Sequence, residues 1–167
     1  MSFYAAYHQD ARNKATHFVG VPVIVLSLMI PLSWLRIDAV SAAMVVTAAL
    51  LAYYLVLDLW LGLAMCAVMG ALLWIGQAIA DQGALAGWIW FAILFVGGWI
   101  LQLVGHVFEG RKPALTANLF QIFVAPIFLC AEVFFALGYK PRLHAAMQER
   151  ALRMRAAAPD AGLTPAG

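Results

Sequence analysis

The sequence predicts an all-α membrane protein, a polytopic bundle of four spans with a fifth apolar segment that is broken or re-entrant and an amphipathic helix at each end. Three observations predict this fold class. Of the 167 residues, 65% are hydrophobic and 11% are charged, whereas soluble domains average roughly 45–50% and about 25%. The mean hydropathy is +0.90. The apolar residues also form runs close to the ~20 residues that a membrane span needs.

Four apolar runs have the length of a span. Each ends at a short polar break, such as the single residue Asp58 between the second run and the third. The first run lies behind polar residues and is long enough to cross, so it is not predicted to be a cleavable signal peptide. The predicted spans are Phe18–Leu35, Ala39–Leu57, Leu59–Ala80 and Leu85–Val107.

A fifth apolar stretch, Leu119–Tyr139, contains Pro126. Proline lacks an amide hydrogen and disrupts a helix, so we expect the segment to bend at Ala125-Pro126 and return to the side from which it entered. Non-helical backbone at membrane depth must be buried in protein or line a cavity. A plain fifth span with a proline kink is the alternative. The polar residues expected to face the cavity are Asn118, Gln121 and Glu132.

Basic residues predict the orientation, because lysine and arginine are enriched in cytoplasmic loops. With four spans, Arg12 and Lys14 share a side with Arg111 and Lys112, whereas the opposite side holds only Arg36. The N-terminus is therefore predicted to be cytoplasmic. A re-entrant fifth segment keeps the C-terminus on that side too, together with five more basic residues, Lys140, Arg142, Arg150, Arg153 and Arg155.

Two amphipathic segments flank the bundle. Ser2–Gln9 carries aromatic side chains suited to the membrane interface, and Lys140–Arg155 mixes apolar and basic residues as a helix on anionic lipid does. Residues 1–155 are predicted to be one membrane-embedded domain. Residues 156–167 are rich in alanine, with two prolines and two glycines, and are predicted to be a disordered tail.

Charge and cysteine usage narrow the possible partners. The net charge of +2 is too small to indicate a nucleic-acid partner. Cys66 and Cys130 both lie inside apolar runs and are predicted to be small core residues rather than a disulfide pair. The lipid bilayer is the expected partner, and the sequence does not identify a protein partner.

Three of the four histidines lie at the ends of apolar segments. An ionisable group beside hydrocarbon is energetically costly unless it has a partner, so these histidines are candidates for a functional site. His8 and His17 are nine residues apart, about two and a half helical turns, so they would face opposite ways on one continuous helix. They converge if the chain breaks at residues 9–12 and a new helix begins at Lys14 with Asn13 as its N-cap. The alternative is a capping asparagine beside two interfacial histidines.

The third histidine, His106, ends the fourth span, and Glu109 follows three residues later on the same helical face. Gln102, one turn earlier, extends this polar stripe. The predicted threading brings the stripe to the same side of the membrane as His8 and His17, which indicates a metal centre at the lipid–water boundary. Imidazole ligands with a carboxylate suit either Zn or non-haem Fe.

Arg111 and Lys112 follow this stripe directly. They are placed to hold a carboxylate or a lipid headgroup. Simple anchoring of the bundle by positive charge on the cytoplasmic side is the alternative.

With these residues laid out, the chain resembles the Mpo1-like (DUF962) family. The likeness extends to about Arg142, and the middle spans match in hydrophobicity alone. The residues that carry it are Phe3-Tyr4-x2-Tyr7-His8-x4-Asn13-x3-His17 with Gly20-x-Pro22, then Trp99-x2-Gln102-x2-Gly105-His106-x2-Glu109 with Pro113-Ala114-Leu115 and Asn118-Leu119-x-Gln121, then Ala125-Pro126, Glu132 and Gly138.

The resemblance implies an Fe(II)-dependent dioxygenase that uses O2 to shorten long-chain 2-hydroxy fatty acids by one carbon. It implies that His8, His17 and His106 are the iron ligands, and it makes Glu109 the candidate catalytic residue. The other predicted site residues are Arg111, Lys112, Asn118 and Gln121 for substrate binding, and Asn13, Gln102 and Glu132 in support.

The chemistry of the substrate agrees with this location. The tail of a fatty acid belongs in the bilayer and its polar end at the interface, where a metal can bind the carboxylate and the 2-hydroxyl group together. We therefore expect an integral membrane protein with its site at the cytoplasmic face, in the bacterial inner membrane or, in a eukaryotic cell, the endoplasmic reticulum.

Other functions suit parts of the pattern. A Zn-dependent lipid hydrolase would use a metal-activated water on an ester or an amide. A transporter should carry polar groups at the bilayer midplane, whereas here the histidines and most of the charged residues lie at one end of the predicted bundle. A non-catalytic bundle of membrane helices is a further alternative. Paired histidines can also ligate haem.

Overall fold

The structure, a computed structural model, describes residues 1–110 and 120–157. Within these residues the chain forms seven α-helices and one very short β-hairpin, so the predicted all-α class is confirmed. The helices are α1 (Ser2–Ala6), α2 (Ala11–Trp34), α3 (Ala42–Leu57), α4 (Leu59–Ala80), α5 (Ala84–Glu109), α6 (Gln121–Ala136) and α7 (Pro141–Ala157).

The hairpin forms the first polar break. Strand β1 (Arg36–Ile37) pairs antiparallel with β2 (Val40–Ser41). Asp38, in the turn between them, has a φ of 53°, and aspartate is one of the few non-glycine residues that adopt this region routinely. The break is therefore a tight turn, and α3 begins at Ala42 because the strand takes up the start of the predicted second span.

Three helices are long and apolar enough to cross a membrane, namely α2, α4 and α5, with 24, 22 and 26 residues. The other two apolar helices, α3 and α6, have 16 residues each. At 1.5 Å per residue that is about 24 Å, less than the ~30 Å of the hydrocarbon core. The arrangement of four spans with a re-entrant fifth segment stays a prediction.

The fifth apolar stretch corrects one expectation. Residues Gln121–Ala136 form one helix that continues through Pro126, so the bend predicted at Ala125-Pro126 is wrong. Both neighbours of the proline, Ala125 and Ile127, are buried, and this packing holds the helix together across the hydrogen bond that proline cannot donate. The return of the segment to the side from which it entered stays a prediction.

The chain divides into two compact units. We call Val19–Ile100 the central unit, and Met1–Phe18 together with the described residues from Leu101 onward the terminal unit. Helices α2 and α5 contribute residues to both.

In the central unit α3 packs closely on α4. A Cβ atom on Gly62 would lie 2.7 Å from the Cα atom of Leu55, so only glycine permits this approach, as is common between membrane helices. Asp58 separates the two helices and caps the second, because its carboxylate accepts the backbone N–H groups of Trp60 and Leu61.

In the terminal unit α1 packs on both α6 and α7. Tyr4 is buried, with its ring 4.8 Å from that of Phe128, so this aromatic residue faces protein rather than the predicted membrane interface. On α7, Met147 and Ala151 are buried, so one face of the predicted lipid-binding helix is covered by protein. Helix α7 ends at Ala157, and the rest of the predicted tail lies outside the described residues.

Candidate metal centre

Three histidines meet in the terminal unit. The side chains of His8, His17 and His106 are buried, and one ring nitrogen of each lies within 4.8 Å of the others. The ring centroids are 4.5 Å apart for His8 and His17, and 5.0 Å apart for each of the two pairs with His106. The convergence predicted from the threading is confirmed, and the cluster could hold a metal ion.

The break between the first two histidines occurs earlier than expected. Helix α1 ends at Ala6 and α2 begins at Ala11, with His8 in the connection. The cap of α2 is Asp10, whose carboxylate accepts the backbone N–H of Arg12 at 2.8 Å. The predicted helix start at Lys14 is therefore wrong. The guanidinium of Arg12, which also donates to this carboxylate, lowers the pKa of Asp10 to about 2.

Asn13 was predicted to be the N-cap, and the structure gives it a different role. It lies fully buried in the first turn of α2. Its side-chain amide donates to the backbone oxygen of Tyr7 at 3.2 Å and to Glu109 Oε2 at 3.1 Å. Aspartate and asparagine cap helices about equally well, and these contacts with distant residues explain why the asparagine is drawn inside.

Two of the imidazoles are oriented by backbone carbonyl groups. His8 Nδ1 lies 2.7 Å from the oxygen of Tyr4, and His17 Nδ1 lies 2.9 Å from the oxygen of Asn13. A carbonyl oxygen can only accept, so Nδ1 carries the proton in both rings and Nε2 keeps its lone pair. This is the arrangement that metal-binding histidines adopt in most proteins.

The surroundings of His8 suit a metal ligand. Its Nε2 atom is buried and has no hydrogen-bond partner within residues 1–110 and 120–157. The ring of Tyr4 stacks on its ring at 3.9 Å. Burial, followed by the positive charge that His17 would carry, lowers the pKa of His8 well below 6.5. The imidazole therefore stays neutral near pH 7, which is the form that binds metals.

Glu109, at the end of α5, connects the elements that carry the histidines. Its side chain is 0% exposed. Its Oε2 atom accepts the backbone N–H groups of Gln9 and Asp10 at 2.9 and 2.7 Å, besides the amide of Asn13. Its Oε1 atom pairs with the guanidinium of Arg155. Four donors thus engage the carboxylate, which favours a positioning role, and the catalytic role stays a prediction.

Gly105 lets α5 approach α2 at this site. A Cβ atom there would lie 2.2 Å from Thr16 Oγ1 and 2.5 Å from Asn13 Oδ1. Both distances are far below van der Waals contact, so a larger residue at position 105 would push Asn13 and its partners away. Glycine is needed here to bring His106, the next residue, beside His17.

Three of the remaining predicted site residues lie in the described part of the chain, namely Gln102, Gln121 and Glu132. Gln102 and Gln121 are buried, and Gln102 Nε2 and Gln121 Oε1 each lack a hydrogen-bond partner in the described part of the chain. Glu132 Oε2 accepts from the ammonium group of Lys14 at 2.6 Å. The other three predicted substrate-binding residues, Arg111, Lys112 and Asn118, lie outside the described residues.

The fourth histidine, His144, is set apart from the cluster. Its ring stacks on Phe135 at 4.6 Å, and its Nε2 atom lies 3.4 Å from the side-chain amide of Gln148. It is half-buried. It is not one of the three histidines that meet at the site.

Comparison with known proteins now decides the family. The model of the family described as "2-hydroxy-palmitic acid dioxygenase Mpo1-like" matches residues 1–137. The chain belongs to the Mpo1-like family. It is 36% identical over 164 residues to a protein of Saccharomyces cerevisiae named 2-hydroxy-palmitic acid dioxygenase MPO1, an alignment that covers 93% of this chain and 92% of the yeast protein. No solved structure matches the chain.

Sequence reasoning missed several contributors to this Mpo1-like site. Lys14 had been interpreted only as a topological anchor, and its pairing with Glu132 has no local signal because the two are 118 residues apart. Tyr4 belongs to the motif Phe3-Tyr4-x2-Tyr7-His8, so its place in the motif could have indicated its contact with His8. Nothing in the sequence pairs Arg155 with the site.

Proposed function

We propose that this protein is an integral-membrane, Fe(II)-dependent dioxygenase that shortens long-chain 2-hydroxy fatty acids by one carbon. The observation that carries the proposal is the buried cluster of three imidazoles, in a family whose yeast member is named 2-hydroxy-palmitic acid dioxygenase. Fe(II) bound at these imidazoles would supply the redox chemistry with O2 that Zn lacks.

The proposed reaction balances with one O2 per fatty acid. The bond between C1 and C2 breaks, C2 becomes the carboxyl carbon of the shorter acid, and C1 leaves as CO2 together with one molecule of water. No additional reductant is required, so the purified protein should need only the metal, O2 and the substrate.

The residues of the chain prepare the site for this chemistry. The carbonyl oxygens of Tyr4 and Asn13 hold the Nδ1 protons of His8 and His17, which leaves the Nε2 lone pairs for the metal. The stacked ring of Tyr4 covers one face of His8 and keeps water from it. Glu109 ties the connection after His8 to the end of α5.

Polar groups close to the cluster in sequence or on α6 are proposed to bind the polar end of the substrate. Arg111 and Lys112 would hold the carboxylate as charged partners, and Asn118 would add an amide. Gln121 is proposed as a contact for the 2-hydroxyl group, because its buried Oε1 atom has no partner among the described residues and can accept a hydrogen bond.

Contacts between the chain ends support a cytoplasmic location for both. Helix α1 packs on α7, and the side chain of Gln9 donates to Gln148 at 3.2 Å, which supports a location of both helices on the same side of a membrane. An even number of crossings must then separate them. Four crossings by α2 to α5, with α6 not crossing to the opposite side, meet this requirement, and the positive charge of α7 favours the cytoplasm for the side that holds both ends.

Reporter fusions at both ends test this topology. Cytoplasmic signals from the N-terminus and the C-terminus are expected. A C-terminal reporter that is active only on the opposite side would show that α6 crosses the membrane.

The reaction is tested with purified protein loaded with Fe(II) without oxygen and then mixed with O2 and 2-hydroxypalmitic acid. Mass spectrometry should find the C15 acid, with CO2 derived from labelled C1 and an equal amount of O2 consumed. Palmitic acid should be inert, because it lacks the second oxygen that would bind the metal beside the carboxylate.

A zinc-dependent hydrolase is the competing function, because three imidazoles also suit Zn. The same preparation loaded with Zn decides between them. If the Zn protein hydrolyses a lipid ester while the Fe(II) protein leaves the hydroxy acid unchanged, the dioxygenase proposal is wrong.

A further inference from the structure

Helix α7 contacts residues that support the metal centre, although it lies after the last residue that the family model matches. The family model ends at residue 137, and α7 begins at Pro141. One face of this helix is turned toward α1, as Met147 and Ala151 are buried there. Arg155, one turn beyond Ala151, continues the same face.

Arg155 contacts the site through Glu109 and Ala6. Its guanidinium pairs with Oε1 of the buried Glu109 and donates to the backbone oxygen of Ala6 at 3.4 Å. The first contact places a positive charge on the carboxylate that holds the connection between α1 and α2. The second ties the same guanidinium to the last residue of α1, immediately before that connection.

We propose that Arg155 is a positioning residue of the metal centre and acts through Glu109. The inference rests on the proposed function, because it assumes that the three histidines bind the metal.

One route of hydrogen bonds runs from Glu109 to His8. Glu109 Oε2 accepts from the backbone of Gln9 and Asp10, the two residues that follow His8. A change in the position of the carboxylate therefore moves the connection that carries this histidine.

Two further routes reach the other ligands. Glu109 Oε2 accepts from the side chain of Asn13, whose backbone oxygen orients His17 Nδ1. His106 lies three residues before Glu109 on α5 and so on the same helical face. The carboxylate of Glu109 thus joins the segments that carry all three histidines.

The positive charge of Arg155 allows the carboxylate of Glu109 to remain buried in the protein. A buried charge is unfavourable unless it is paired and hydrogen-bonded, and removing one partner of a buried pair leaves the other uncompensated. Without the guanidinium, we expect Glu109 to turn toward water and release the backbone groups of residues 9 and 10. The histidines would then lose their fixed spacing.

The chain supplies a matched control two residues away. Arg153 lies on the same helix and also forms an ion pair, with Glu149 at 2.6 Å, but its side chain is 78% exposed. Replacing Arg153 removes the same charge from α7 without touching Glu109. A difference between the two positions therefore reports on the contact and not on net charge or membrane attachment.

The test measures metal affinity in the full-length protein. Arg155→Gln, Arg155→Lys and Arg153→Gln are titrated with Fe(II) under anaerobic conditions against a competing chelator. Co(II) serves as a second probe, because its visible absorption reports the arrangement of its ligands. Partners that hold metal ligands in place are worth roughly 10–100-fold in affinity, so we expect a loss of that size for Arg155→Gln, together with an altered Co(II) spectrum.

The other two variants sharpen the result. Arg155→Lys should lie between Arg155→Gln and the wild type, since lysine keeps the charge but lacks the planar group that reaches two acceptors. Arg153→Gln should bind as the wild type does. Wild-type affinity and spectrum in Arg155→Gln would overturn the inference, as would an equal loss in Arg153→Gln.

A double variant tests the route through Glu109 and covers a failure of Arg155→Gln to fold. In a Glu109→Gln background no buried carboxylate remains, so adding Arg155→Gln should change the metal affinity little. Non-additivity of this kind is the signature of residues that act through each other. A further 10-fold or greater loss in the double variant, on the ~10–100-fold scale above, would show that Arg155 does not act through Glu109.

The same titrations separate this inference from the proposed function. A wild-type protein that binds metal, weakened by Arg155→Gln, but leaves 2-hydroxypalmitic acid unchanged would keep Arg155 as a positioning residue and remove the dioxygenase. If the wild-type protein is a dioxygenase and the Arg155→Gln variant binds metal normally, the proposed function stands and the positioning role of Arg155 is wrong. A wild-type protein that binds neither metal would overturn both.

Discussion

The terminal and central units bury polar side chains of different kinds. Within the described residues, the buried polar groups of the central unit are all hydroxyl groups, whereas those of the terminal unit are imidazoles, amides and a carboxylate. The first set is Ser27, Ser33, Ser41 and Thr47, and the second is His8, Asn13, His17, Gln102, His106, Glu109 and Gln121.

The partners of these groups differ as well. In the central unit Ser27 and Ser33 donate to carbonyl oxygens of their own helix, three and four residues earlier. The other two hydroxyl groups contact neighbouring helices, as Thr47 donates to the sulfur of Met29 and Ser41 accepts from Gln77. In the terminal unit Glu109 accepts from residues 96 to 100 positions away in the sequence. A hydroxyl group satisfied within its helix needs no tertiary contact, whereas the groups around Glu109 are satisfied only when several segments assemble. Buried polar groups that depend on assembly are kept where a site requires them.

The largest expected effect comes from the histidines of the terminal unit. His8→Ala, His17→Ala and His106→Ala should each remove a metal ligand and abolish the shortening of 2-hydroxy fatty acids. Structural zinc sites contribute about 10–16 kcal/mol, so one ligand of three corresponds to several kcal/mol and at least ~100-fold in affinity. Metal content after purification and chelator titration measure this.

His144→Ala is the control for these variants, because its ring stacks on Phe135 instead of joining the cluster. It should retain metal and activity. Full metal content in His106→Ala would remove the metal centre from the interpretation.

Asn13→Ala and Ser27→Ala compare the two kinds of buried polar group. Asn13 bonds to Tyr7 and Glu109, so its loss should weaken metal binding by roughly 10–100-fold. Ser27 bonds within its helix at Ile24, and its replacement should change stability by about 0.5–1.5 kcal/mol, the net contribution of one hydrogen bond, and leave the metal unaffected. Chelator titration and thermal unfolding of both variants measure the contrast. Equal effects on metal affinity would contradict the division between the units.

Two glycines extend the comparison to packing. A Cβ atom on Gly105 would clash with Thr16 and Asn13, and one on Gly76 would lie 2.5 Å from the Cβ atom of Met29. Both Gly105→Ala and Gly76→Ala should lower stability by about 1–3 kcal/mol, the usual cost of overpacking. Only Gly105→Ala should also reduce metal affinity, because only its neighbours hold ligands. Loss of metal affinity in Gly76→Ala would show that a general loss of packing is enough to weaken the metal centre.

The smallest expected effect concerns pH. The pKa of His8 is lowered below 6.5 in the folded protein, so below that pH the unfolded chain binds a proton that the folded chain rejects. The stability of the metal-free protein should therefore fall as the pH drops below about 6.5. Thermal unfolding from pH 7.5 to 5 measures the slope of stability against pH, and His8→Gln should reduce that slope. A slope unchanged by His8→Gln would assign the dependence to other groups.

Much of the fold could be predicted from hydropathy and helix breaks. The apolar runs predicted α4 within the bounds that the structure shows, and the polar residues at Asp58 and Asp81 marked its ends correctly. The limits of α3 and the course of α6 through Pro126 were not predictable in this way. A β-hairpin of two residues per strand has no periodic signal, and a proline is tolerated when neighbouring side chains are buried enough to hold the helix.

Some features of the candidate site were likewise predictable from the sequence, and others were not. The positions of the histidines at the ends of apolar segments predicted their convergence, because hydrocarbon restricts where imidazoles can lie. The cap of α2 was misplaced by three residues, since Asp10 and Asn13 cap equally well in isolation and the choice between them depends on Glu109. The pairings of Lys14 with Glu132 and of Arg155 with Glu109 follow no local rule.

The sequence by itself determined that this chain is helical and apolar enough for a membrane, that its histidines gather at segment ends, and that it belongs to the Mpo1-like family. Composition and periodicity act along the chain, so they can be read residue by residue. The tertiary structure decided which donors surround the carboxylate of Glu109 and how Arg155 neutralises it. A buried charge can take its partners from any segment that packs beside it, and that packing exists only once distant parts of the chain have assembled.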